Sequence, residues 1–249
     1  MLKANPKAVW VIQSWQPNPS SELIAGLSDV NDGKNHAPIL DIYAEKTPNY
    51  CDGKPGNPRH GYSSEFDGTP WVYCMLNNFG GKLGLHGHLD NIVSGIPKLL
   101  NECKHLSGIG ITCEASENNT VLYDFLFESV WQKNAEQNCE PIDIKRWIRE
   151  YTLRRYGGES NAVNDAWDIM LDTVYKAECN MIGQGAPESI VNARPNFGLK
   201  SASFWGNSLI GYSNEILEKS EKLLLEDYNK FSDSNGYKYD LISLRQQVL

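Results

Sequence analysis

The stretch GIGITCEASENN, residues 108–119, leaves a run of apolar residues, passes a glutamate and runs into NTVLYDFLFESVW, where apolar residues recur three and four positions apart. A strand that feeds a helix directly is half of a βαβ unit, so this stretch sets the fold class of everything before it. Upstream, AVWVIQ (8–13), APILDIY (37–43) and PWVYCML (70–76) read as strands of the same kind, with SGIGIT (107–112) as the fourth. Helical patterns lie between them: SELIAGLSDV, opened by Ser21 and Glu22 after the Pro17 and Pro19 breakers, and LDNIVSGIPKLLNECKHL around Pro97. Strands alternating with helices predict a parallel sheet.

Beyond residue 119 the strand signal stops. The helix of NTVLYDFLFESVW is followed by DIKRWIREYTLRRYG, SNAVNDAWDIMLDTVYKA, NSLIGYSNEILEKSEKLLLEDYNKF and YDLISLRQQVL, all at helical spacing. Asp143 and Ser160 suit N-caps, and Gly157 with Gly158 suits a helix end. The expected organisation is an α/β part over residues 1–134 and an all-helical part over 135–249.

Composition narrows the function classes. With 41% hydrophobic residues the chain can fill a core, and its net charge of −8 repels polyanions unless a basic cluster overcomes it. No basic run is longer than the two residues of Arg154–Arg155, so nucleic acid is not an expected partner. No apolar run approaches the ~20 residues that span a bilayer, and MLKANPKAVW lacks the apolar core of a secretory signal, so the chain as given reads as soluble. The six cysteines contain no CxxC pair and are expected to be reduced thiols.

Polar residues gather where each strand ends. The first strand runs into Gln13, Ser14 and Trp15, and the second into Asp41, Tyr43 and Glu45. The third meets Asn77, Asn78 and Phe79, and the fourth meets Glu114, Ser116 and Asn119. In a parallel sheet these ends share one side, and in a (β/α)8 barrel that side carries the active site; four strands make half a barrel. Carboxylates, amides and an aromatic wall of Trp15, Tyr43, Tyr73 and Phe79 suit a sugar, whose apolar face the rings cover. A rival is metal chemistry, since LGLHGHLD brings His86, His88 and Asp90 together at the start of a helix. Residues 47–69, a Gly/Pro/Asn-rich connection, leave the second strand on the side of the polar clusters. Neither Ser63 nor Ser64 sits in a nucleophile elbow, GGKLG lacks the phosphate-loop pattern, and NNT at 118–120 fits a glycosylation sequon that opens a helix.

On AVWVIQSW, LDIYAEKTP, TPWVYCMLNNFGG, GIGIT-x-E-x-x-x-x-N with VLYDFLFE, and KYDLISLRQQVL, the chain resembles the α-N-acetylglucosaminidases of glycoside hydrolase family 89 over nearly its whole length. The resemblance implies the later part of a (β/α)8 catalytic barrel followed by the start of a helical domain. It also implies a cofactor-free retaining glycosidase that removes terminal α-linked N-acetylglucosamine, in a family whose members are lysosomal or secreted. Glu114 matches the family's nucleophile, although Cys113 stands where a proline commonly precedes it. Asp41, Glu45, Trp15, Tyr73, Asn78 and Phe79 match blocks near the family's sugar pocket. The acid/base glutamate is expected upstream of these residues, which makes the chain catalytically incomplete. A half barrel exposes two sheet edges, so self-association or a missing N-terminal half is expected. Two alternatives remain open: a non-catalytic carbohydrate-binding remnant, and a metal-dependent hydrolase using His86 and His88.

Overall fold

In the computed structural model the described residues are 3–15, 17–50, 64–80, 82, 84–114, 119–132, 138–181, 184–188, 195–198 and 208–248. The chain divides into two compact units. The first comprises Met1–Leu76, Gly95–Cys113 and Lys133–Cys139; the second comprises Asn77–Ser94, Glu114–Gln132 and Glu140–Leu249.

The first unit is built on a four-stranded parallel sheet of β1 (Ile12–Ser14), β2 (Ile39–Ile42), β3 (Trp71–Met75) and β4 (Leu106–Ile111), in the spatial order of the sequence. A doubly wound sheet reverses direction part-way; an all-parallel sheet that advances one strand at a time is the arrangement of a (β/α)8 barrel. Register then decides which side chains share a face. Ile12, Ile39 and Trp71 are aligned, as are Ser14, Asp41, Tyr73 and Ile109 one layer further on, beyond a bulge in the β3–β4 pairing. Ile39, Trp71 and Met75 are fully buried, and Ile12 nearly so.

All four expected strands form, but β1 is shorter than AVWVIQ implies. Val9, Trp10 and Val11 are about half exposed, because among the described residues β2 is the only strand that pairs with β1. Helix α1 (Ser21–Ser28) is capped by Ser20, whose hydroxyl accepts from Leu23 N at 3.2 Å, one residue before the expected start. The short element α2 (Ser64–Gly68) is a left-handed turn: Glu65, Phe66 and Asp67 all have φ between 50° and 54°. Each such non-glycine residue costs about 1–2 kcal/mol. Offsetting this, Phe66 is fully buried, and the Glu65 carboxylate accepts from His105 N (2.7 Å), Lys104 N (3.2 Å) and Trp71 Nε1 (3.2 Å), tying the turn to β3 and to the approach to β4. Helix α3 (Leu89–Glu102) carries Pro97 within it.

The second unit is helical: α4 (Thr120–Ser129), α5 (Ile144–Tyr156), α6 (Asn161–Leu171), α7 (Asn214–Glu226), α8 (Tyr228–Phe231) and α9 (Asn235–Val248). Asp143 and Ser160 cap α5 and α6 as expected, and Gly157 ends α5 in the left-handed region at φ 85°. The NSLIGYSNEIL pattern becomes helix only from Asn214. Apolar stripes of α5, α6, α7 and α9 bury Trp147, Tyr151, Trp167, Leu217, Leu224 and Tyr237. Stacked or edge-on rings run from Phe125 through Trp147, Tyr151 and Trp167 to Tyr175. Asp240 on α9 completes this core: it takes both Arg155 Nε (2.7 Å) and Nη2 (3.0 Å), and also the Tyr156 hydroxyl (2.9 Å). No helix among the described residues is long and apolar enough to cross a membrane.

Two stability outcomes follow. Asp240→Ala strands a largely buried guanidinium and is expected to cost about 3–5 kcal/mol, read as a lower urea midpoint. Asp67→Gly relieves one left-handed residue at an exposed position and is expected to stabilise by about 0.5–1 kcal/mol in the same assay.

Candidate functional site

The first unit gathers its polar residues at the carboxyl ends of β1, β2 and β3. Asp41 is fully buried, and its oxygens accept from Asn49 N, Asn49 Nδ2 and Tyr50 N, all at 2.9 Å. Asn18 donates to Asn49 Oδ1 (3.1 Å) and accepts from the Ser14 hydroxyl (3.0 Å), so β1 and β2 share one amide chain. Glu45, 4% exposed, receives Leu76 N on both oxygens at 3.2 and 3.3 Å, which joins the segment after β2 to the end of β3. Between them Tyr43 takes φ 66°, with Trp15 edge-on at 6.3 Å and Lys46 Nζ 5.9 Å from its ring centre. Burial, with the charges of Glu45, Tyr50 and Asp41 adding to it, raises the Tyr73 phenol well above the usual tyrosine range. Burial beside Asp41 and Glu45 likewise pushes the Cys74 thiol up to about 12, so both groups stay protonated at neutral pH.

In the second unit the chain that has left β3 makes a tight turn. Lys82 N donates to Phe79 O (3.0 Å), Lys82 Nζ lies 5.9 Å over the Phe79 ring, and Asn78 is fully buried. Glu114, three residues past the end of β4, is exposed, and its Oε2 accepts from Gly80 N at 3.0 Å. Among the described residues this carboxylate has no ion pair, and its Oε1 has no hydrogen-bond partner.

The same unit holds the histidine segment. Asn119, at the N-cap of α4, uses its side chain on that segment instead of capping: Oδ1 accepts from His86 N (3.1 Å) and Nδ2 donates to Gly84 O (3.3 Å). His86 and His88 are each 1% exposed and meet edge to face at 5.3 Å. The Asn180 side chain contacts His86 Nδ1 (3.0 Å) and donates to Gly87 O (2.8 Å). Asp90 accepts from Ala177 N at 2.8 Å. These contacts make the HGHLD segment a packing junction. Among the described residues no three His, Cys, Asp or Glu side chains converge as metal ligands would.

Of the residues singled out in the sequence, Trp15, Asp41, Glu45 and Tyr73 fall in the first cluster, and Asn78, Phe79 and Glu114 in the second. Ser116, Ser63, Cys51, Asn118 and most of the 47–69 connection lie outside the described residues; the other five cysteines are free thiols. Asn49, Asn180 and the Gln184–Ala186 turn were not foreseen. Their only sequence signal is turn chemistry, Thr-Pro-Asn and Gly-Gln-Gly, without a stated partner.

Comparison with known proteins gives two family models, the tim-barrel domain of alpha-N-acetylglucosaminidase over residues 1–133 and its C-terminal domain over residues 147–249. The chain belongs to the α-N-acetylglucosaminidase family. It is 28% identical over 258 residues to human alpha-N-acetylglucosaminidase, spanning 31% of that protein. It is 37% identical, with a TM-score of 0.84, to a family 89 glycoside hydrolase from Clostridium perfringens solved with PUGNAc, over 99% of this chain and 25% of that one. A further structure of the clostridial enzyme holds its substrate GlcNAc-alpha-1,4-galactose in a variant with two glutamates changed to glutamine. The fold is therefore part of a TIM-type barrel followed by a helical region, as the family blocks implied.

Within this family fold, Asp41 is expected to serve as an anchor for the segment after β2. Asp41→Asn sets an amide N–H against one of three N–H donors, and a loss of about 1–3 kcal/mol is expected in urea unfolding.

Proposed function

We propose that this chain supplies the nucleophile of a retaining glycosidase acting on terminal α-linked N-acetylglucosamine, and that Glu114 is that nucleophile. One observation carries the reading. Asp41 and Glu45 are buried with their oxygens taken up by donors of the chain, whereas Glu114 is exposed, has Oε2 held by one backbone N–H and, among the described residues, keeps Oε1 available. A nucleophilic carboxylate needs that combination of a fixed plane and a free lone pair. Family membership and the sugar-bound relatives support the substrate class.

In the proposed reaction Oε1 attacks the anomeric carbon and the bond to the leaving oxygen breaks. A second carboxyl group, about 5–5.5 Å away in retaining enzymes, gives that oxygen its proton. Water then attacks the same carbon, the ester to Glu114 opens, and the sugar leaves with its configuration retained. The proton donor is proposed to lie outside these 249 residues.

Phe79 offers an aromatic face to a pyranose, and the family resemblance implies sugar-pocket roles for Trp15, Asp41, Glu45, Tyr73 and Asn78. In the same reading residues 1–134 are the later part of the catalytic barrel and 135–249 begin the helical domain. A (β/α)8 barrel has eight strands and the described residues hold four, so the others are proposed to come from another stretch of polypeptide or another copy.

A glycoside with a leaving group that needs no proton tests this. With a 2,4-dinitrophenyl α-N-acetylglucosaminide, the chain is expected to release one equivalent of dinitrophenolate. It should also gain the mass of one N-acetylhexosaminyl group on the peptide containing Glu114, because the base that activates water is proposed to lie outside the chain. Glu114→Gln should give neither. Sustained turnover of an unactivated glycoside places the acid/base within the chain and refutes the division. Sugar binding without an adduct indicates a carbohydrate-binding remnant.

A further inference from the structure

We propose that the turn Gln184–Ala186, within the helical region, is a positioning element for Glu114, acting through Asn78, Phe79 and Gly80. The inference rests on Glu114 as the nucleophile and assigns to the helical region a part in holding it.

Leaving the sheet, the chain passes Asn77 at φ 61° and places Asn78 in full burial. Both ends of the Asn78 amide are used: Nδ2 donates to Gly84 O at 3.1 Å, and Oδ1 accepts from Ala186 N at 2.6 Å. Lys82, at the other end of the turn, donates through Nζ to Gln184 O. The backbone of residues 184 and 186 thus grips the Asn78–Lys82 turn at two points. Gly185 lies between the grips at φ 71°, where an L side chain is strained. A Cβ there would also stand 3.0 Å from Asn78 Oδ1, 3.1 Å from Phe79 N and 3.2 Å from Phe79 Cδ2. Only glycine allows so close an approach.

The next residue in that turn is Gly80, whose N–H holds Glu114 Oε2 at 3.0 Å. Contact therefore runs unbroken from Gly185 to Phe79, along one peptide to Gly80, and across a charge-assisted hydrogen bond to the carboxylate. Gly185 lies in the residues matched by the family's C-terminal domain and Glu114 in those matched by its tim-barrel domain. A shift at Gly185 re-aims Gly80 N–H and with it the plane of the carboxylate. The sequence shows no sign of this, because Gly183 and Gly185 read as ordinary turn residues.

The test compares Gly185→Ala with Gly157→Ala, which imposes a like backbone strain at φ 85° but with nothing within 4 Å of its new Cβ. Lys82→Met removes one grip without any backbone strain. The first readout is the amide signal of Gly80 in chain labelled with 15N-glycine, identified by its displacement in Glu114→Gln. The second is the first-order constant for labelling of Glu114 by the dinitrophenyl glycoside. Gly185→Ala should move the Gly80 signal as Glu114→Gln does and lower the labelling constant at least about tenfold, within the roughly hundredfold that a 1 Å misplacement can cost. The labelling constant is read at saturating glycoside, so a change in binding through Phe79 does not enter it. Lys82→Met should move both readouts the same way by less, and Gly157→Ala neither. An unmoved Gly80 signal in both Gly185→Ala and Lys82→Met overturns the proposal, as does an equal effect of Gly157→Ala. If the unmodified chain is never labelled while the Gly80 signal still follows Gly185, the nucleophile reading fails and the coupling stands.

Discussion

Backbone N–H groups, more than cations, hold the acids that matter in this protein. Asp41 takes two from residues 49 and 50, Glu45 takes Leu76 N, Glu65 takes those of Lys104 and His105, Asp90 takes Ala177 N, and Glu114 takes Gly80 N. A chain of net charge −8 has too few bases to pair every carboxylate. Peptide donors fixed by the strand ends meet the need without the side-chain entropy of a long cation. Except at Asp41, whose donors lie 8 and 9 residues on, each bond also ties together segments far apart in sequence, so the acids work as clasps. In the helical unit cations do hold buried acids: Arg245 binds Glu221, and Arg155 binds Asp240, to which Tyr156 gives a third donor.

The clasps explain why one sheet can carry a polar layer without losing its core. Ser14, Asp41 and Tyr73 lie side by side in register, one layer beyond Ile12, Ile39 and Trp71. The apolar layer supplies burial. The polar layer is tolerated because its acid is fully bonded and its phenol, raised by burial, remains neutral. The strands then end, and the freed backbone supplies the next set of donors at Leu76 and Gly80.

Much of the architecture was legible in local pattern. Four strands, the helices between and after them, the caps at Asp143 and Ser160 and the stop at Gly157 all come from neighbours within one or two turns. The errors were local too: β1 starts four residues into the apolar run that announces it, because apolar character does not reveal which residues will find a partner strand. The left-handed turn at Glu65, Phe66 and Asp67 carried no glycine until its end, so nothing marked it. The His86–His88 pair shows the opposite fault, since its spacing matches a metal motif while its surroundings make it a packed junction beside Asn119 and Asn180.

By itself the sequence determined the order of elements, the parallel sheet, the helical second part and the family, because periodicity, punctuation and long matching blocks are properties of neighbouring residues. It also placed Asp41, Glu45 and Glu114 at or just past strand ends, where the three look alike. Only the tertiary structure told them apart, burying and saturating the first two and leaving the third exposed with one oxygen held. The reason is distance along the chain: Leu76 N lies 31 residues from Glu45 and Gly80 N lies 34 from Glu114, and no local pattern records which backbone donor a fold will bring to which acid.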